Sequence, residues 1–117
     1  MRVAEPIRPR SAAADVLSAE ERLRVVEFLE AGTAVLFTTA ADADPLAPGA
    51  GTVVGLSVRS DGEWVWSDAH AYFVRAYGMA PEEAFLAYIR ARGYRCQVID
   101  AAAAERVLAE FGALMEG

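Results

Sequence analysis

Cysteine and histidine each occur once in this 117-residue chain, and lysine and asparagine do not occur at all. A single cysteine, Cys96, excludes an internal disulfide and leaves no thiolate cluster for a structural zinc. Its simplest role is that of a small apolar side chain. A single histidine, His70, means that a catalytic triad or histidine metal site would have to recruit carboxylates for every other position. No such constellation is legible, so neither enzyme activity nor a cofactor or metal is expected. All eleven basic residues are arginine, which together with abundant alanine fits GC-rich coding and carries no information about fold. No apolar run approaches the ~18 residues that span a bilayer. The start, "MRVAEPIRPR", has charge without the apolar core of a signal peptide. A cytoplasmic protein without membrane contact is expected. The net charge of −6 opposes direct nucleic-acid binding and would attract a basic partner.

Apolar residues make up 55% of the chain, enough for one domain with a real core over residues 1–117. The first fifteen residues read either as disorder or as an edge strand, because Pro6 and Pro9 disfavour a central strand. "LSAEERLRVVEFLEAG" predicts a helix. Ser18 and Glu21 form a capping box, Leu23, Val26 and Leu29 form a stripe beside Val25 and Phe28, and Gly32 supplies a permissive end. "TAVLFTTA" predicts a largely buried strand. "ADADPLAPGAG" predicts a loop carrying Asp42 and Asp44. "SDAHAYFVRAYG" predicts a short helix capped by Ser67 or Asp68 and stopped by Gly78. "APEEAFLAYIRARG" predicts another, with Pro81 at its first position and Gly93 at its end. "YRCQVI" alternates like a strand. Asp100 caps a last helix with a stripe of Ala104, Val107, Leu108, Phe111 and Leu114. Grouped strands and segregated helices imply an α+β fold: a small antiparallel sheet of three or four strands with about four helices packed on it. The run "GAGTVVG" leads into a strand rather than opening a helix, which removes it as a phosphate loop.

The densest signal is "VVGLSVRSDGEWVWSDAHAYF". Asp61-Gly62 predicts a two-residue type I′ hairpin turn, in which Arg59 faces Trp64, Val58 faces Val65 and Ser57 faces Trp66. Val54, Leu56, Val58 and Val65 then share one face, and Ser57, Arg59, Trp64 and Trp66 the other. A cation–π pair between Arg59 and Trp64, worth about 0.5–1 kcal/mol, is too small to account for two exposed indoles. Either a helix from the 69–92 region covers the tryptophans, with the first or last helix on the valine face, or an indole stays open for a partner. Phe73 and Phe85 read as core, and Tyr72, Tyr77 and Tyr88 as half-exposed. On the open reading, Arg59, Asp61, Glu63, Trp64 and Trp66, extended by Asp42 and Asp44, form an acidic-rimmed aromatic patch suited to a basic protein.

Over residues 49–94, four features occur in order: Asp61-Gly62, Trp64-Val65-Trp66, Tyr72-Phe73 and Arg92-Gly93-Tyr94. This pattern resembles small acidic immunity-type proteins from polymorphic-toxin gene neighbourhoods of high-GC Gram-positive bacteria. In that pattern two tyrosines stand where this chain has Tyr72-Phe73. The resemblance implies a protein that neutralises a cognate secreted toxin by contact, and it transfers no catalytic residue. Two rivals are a homodimeric binding or regulatory module associating through the tryptophan face, and a small enzyme built on His70 and nearby carboxylates.

Overall fold

A computed structural model describes residues 1–7 and 16–116. The elements run β1 (Arg2–Val3), α1 (Ala19–Ala31), β2 (Thr33–Leu36), β3 (Ala41–Ala43), a 3-10 turn (Pro48–Ala50), β4 (Thr52–Gly55), β5 (Val58–Ser60), β6 (Trp64–Ser67), α2 (Asp68–Tyr77), α3 (Glu83–Ala91) and α4 (Ala101–Glu116). The fold is α+β. Strands β1-β6-β5-β2 form one sheet, and β3 and β4 pair separately. The main sheet is mixed rather than antiparallel, because β1 joins β6 in parallel. The N-terminal expectation is thus met by an edge strand at its start, and its part on residues 8–15 lies outside the described residues.

The hairpin register differs from the predicted one by two residues. Arg59 pairs with Trp66 and Ser60 with Val65. A type I′ turn needs positive φ at both central residues, yet here Gly62 alone adopts it, at 98°. Side chains close a wider loop instead. The Asp61 carboxylate accepts from the Glu63 and Trp64 amides at 3.0 and 2.9 Å, and the Ser60 hydroxyl donates to the Trp64 carbonyl at 2.7 Å. A slip of two preserves the face of every side chain in the pair, so Val58 and Val65 stay apart from Trp64 and Trp66, whereas Val54, expected on the same face, lies in the separate β3–β4 sheet and Leu56 lies between strands.

The tryptophan face is the main core. Trp64 and Trp66 are only 3% and 1% exposed. Val25, Phe28 and Leu29 of α1, Ala71 and Val74 of α2, and Phe85 and Ile89 of α3 close over them. Trp64 stacks on Phe85 at 4.8 Å between centroids, and Trp66 lies 5.4 Å from Phe28. The Trp66 indole N–H donates to the Leu29 carbonyl at 3.0 Å, which satisfies the one polar atom that burial would strand. Burying 150–250 Å² per indole contributes roughly 4–6 kcal/mol each, several times any surface cation–π pair. The helix-covered reading therefore prevails. Gly32 follows α1 with an ordinary φ of −59°, so backbone freedom is not its role. A β-carbon there would lie 2.4 Å from the Trp66 ring.

On the opposite face α4 packs over Val58 and Val65 with Val107. Val107 is its one buried residue among those described; Ala104, Leu108 and Phe111 of the predicted stripe are half-buried, and Leu114 is exposed. Other expectations fail for identifiable reasons. Leu23 is 67% exposed, because the buried arc of α1 is centred on Val25 and Phe28. β2 is an edge strand with a bulge, and Phe37 just beyond it is 79% exposed. "YRCQVI" forms no strand; it crosses the hairpin end of the sheet, where the Ile99 amide donates to the Thr33 hydroxyl. Pro81 precedes the N-cap of α3, Glu82, rather than opening the helix. The 41–51 region is a strand, a turn and a 3-10 helix rather than open loop.

Candidate binding surface

The predicted patch is divided by the fold. Trp64, Trp66, Asp61 and Asp44 are buried, so they are withdrawn from any contact surface. Arg59 does not pair with Trp64. Its Nε donates to Asp68 at 2.7 Å and its Nη1 to the Gly32 carbonyl at 2.9 Å, which ties the end of α1 to the start of α2. Glu63 is exposed at the hairpin tip, and Asp42 is exposed on β3, in the other sheet.

Asp44 shows why a loop carboxylate can be core. Its Oδ1 accepts from the Leu46 amide at 2.8 Å, the turn that Asp44-Pro45 favours. Its Oδ2 accepts the hydroxyls of Tyr72, at 2.7 Å, and Tyr77 from α2. Burial opposes ionisation of Asp44, but these hydroxyl and amide donors together outweigh it and hold its pKa below the ordinary carboxylate value. The same carboxylate pushes Tyr77 up to about 12. The small β3–β4 sheet is thereby fastened to α2, where Val54 packs on Phe73 and Met79.

His70 is likewise structural. It is 4% exposed; its Nδ1 accepts from the Ser67 amide at 3.2 Å, completing a capping box, and its Nε2 faces the Glu5 carbonyl at 2.9 Å. That pattern fits the neutral imidazole protonated on Nε2. Burial lowers its pKa, against the raising effects of those bonds and of Glu82. The Glu5 amide meanwhile donates to the Glu82 carboxylate at 2.8 Å, so α2 and α3 grip residue 5 from both sides. No long-range sequence signal marks this link. Glu21, predicted to reach back to its own N-terminus, instead receives Arg90 through two 2.7 Å bonds and the Tyr94 hydroxyl at 2.6 Å. Those partners hold its pKa at about 2. Tyr94 adopts a left-handed φ of 62°, directly after Gly93.

Apart from the isolated Asp42, the part of the predicted patch that remains at the surface is the hairpin tip. The Tyr88 hydroxyl lies against the carboxylates of both Asp61 and Glu63, 2.8 Å from the latter, and its one proton serves the two. Burial, then these carboxylates, raise the Tyr88 pKa far above its usual value, so it stays a neutral donor. The Arg2 guanidinium lies 4.4 Å above Trp64, and that of Arg92 lies 5.9 Å from the Tyr88 ring. Cys96 stands nearby, its thiol pushed up to about 11 by burial and the Asp61 charge, which suppresses the nucleophilic thiolate. The corner can present Glu63, Tyr88 and two arginines to a partner. Among the described residues no group of three or more histidine, cysteine or acidic side chains is placed to hold a metal, and no helix is long and apolar enough to cross a membrane. Comparison with protein-family models, with curated proteins and with solved structures finds no match.

Proposed function

We propose that the chain is a non-catalytic binding protein of the immunity type, which blocks a cognate toxin by protein–protein contact from the hairpin tip. The observation that carries this reading is the corner of Glu63, Tyr88, Arg2 and Arg92, in which exposed charged groups are set on a rigid aromatic base. Tyrosine and arginine are enriched where interfaces concentrate their energy. A stacked guanidinium loses less freedom on binding than a free one. The net charge of −6 would steer a basic toxin surface toward the protein. The reactive side chains support a non-catalytic role, because His70 and Asp44 are occupied in holding the fold together and the Cys96 thiol is kept protonated. A cytoplasmic location belongs to the same proposal.

The test is calorimetric titration with the product of the adjacent gene. Nanomolar binding is expected, weakened about tenfold or more by Glu63→Arg. Tryptophan fluorescence should change little, since both indoles are buried. No heat of binding from the wild-type protein would overturn the reading. Wild-type affinity in Glu63→Arg and Arg92→Glu would move the interface elsewhere.

Self-association is a second reading, and β2 is what favours it. Burial of Trp64 and Trp66 removes the tryptophan-face dimer, whereas the outer edge of β2 pairs with no strand among the described residues and has Leu36 and Phe37 exposed beside it. Unprotected apolar edges pair readily with another chain. Sedimentation should then show a concentration-dependent dimer that Phe37→Glu dissociates, and a strict monomer at high concentration would remove it.

A further inference from the structure

The valine face of the sheet is only partly covered. α4 lies over its β2 side, and toward β1 and β6 a half-enclosed cleft of about 270 Å³ remains. Val3, Ala4, Val65 and Ala69 line it, and Phe111 and Met115 of α4 close its outer side. We propose that this cleft binds a small, uncharged, largely hydrocarbon molecule.

Charge complementarity selects that chemistry. Among the described residues no lining side chain carries a formal charge, since the one ionisable side chain in the wall, His70, is held neutral. The polar groups of the wall are already committed: His70 uses both ring nitrogens, one of them on the Ser67 amide. An entering charged group would lose its hydration and gain no partner, whereas hydrocarbon forfeits nothing and displaces poorly bonded water. The volume admits roughly nine water-sized atoms, just below the usual range for drug-sized ligands and too little for a protein segment. Phe111 is half-buried and Met115 is exposed, so the helix offers an aromatic ring and an adaptable thioether that can close on a guest.

Octan-1-ol is a suitable probe, with octylammonium as its charged counterpart, each titrated into the isolated full chain by amide NMR. No toxin is present, so this outcome is independent of the partner-binding reading. Expected is a saturable one-to-one shift confined to residues around Val3, Val65, Ala69 and Phe111, with octylammonium binding about tenfold or more weaker. Ala69→Phe, which fills the cleft, should abolish the shift. Met115→Trp, at an exposed position that folding does not require, should weaken binding by narrowing the mouth, and it serves should Ala69→Phe fail to fold. No saturable shift in the wild-type chain overturns the proposal. So does equal binding of octylammonium, or unchanged binding in the folded variants.

Discussion

The two faces of the main sheet are packed to different standards. One carries two indoles under three helices, with aromatic rings in mutual contact and the buried indole N–H of Trp66 bonded. The other carries valines under a single helix that buries only Val107 among its described residues and leaves a cleft beside it. Both faces carry large or branched apolar side chains, the tryptophan face with Arg59 at its margin. The difference arises because large flat side chains require partners on every side, whereas small β-branched ones can be half-served. The first face supplies most of the stability, and the second is where the molecule has room to change.

The sharpest way to break this contrast is a pair of truncations. Trp66→Ala should cost about 3–5 kcal/mol in guanidinium unfolding, and Phe111→Ala about 1–2 kcal/mol because its ring is only half-buried. Equal costs would mean that the faces are equivalent. Gly32→Ala should come next, at about 1–3 kcal/mol, because its methyl would strike the Trp66 ring and force a shift in the tight core.

Acid should act on the two sides of the molecule in separate windows. The unfolded chain protonates His70 near its ordinary 6.5, while the folded chain resists. Its contribution to stability is therefore complete above pH 6.5 and lost as the pH falls toward the lower folded value. His70→Gln should flatten the fall in stability between pH 7 and 5, and an unchanged slope would assign it to other groups. Glu21 contributes above its ordinary 4.5 and loses that contribution as the pH falls toward about 2. Amide exchange at neutral pH should be faster in α4 than in α1 and α3, as expected of a helix with one buried contact among its described residues. The smallest effect should be that of Leu23→Ser, within about 0.5 kcal/mol, since this leucine already faces water.

Local chemistry made much of the fold legible from residues alone. Ser18 caps α1 through the Glu21 amide, Asp100 caps α4 through the Ala103 amide, and Gly78 ends α2 with a left-handed φ of 69°. These are short-range bonds whose partners lie within four residues, so the sequence by itself determines them. The alternation that separates Val58 and Val65 from Trp64 and Trp66 is of the same kind, and it survived a wrong register because the slip was even. Tertiary structure decided the rest. Whether Trp64 and Trp66 meet water depended on how α2, which follows β6 directly, and the more distant α1 and α3 pack together over the sheet. Asp44 became core through tyrosines 28 and 33 residues away, and His70 became a clamp through Glu5, 65 residues away. Such partners leave no periodic trace in the sequence, because their separation is set by how whole elements pack and not by the repeat of any one of them.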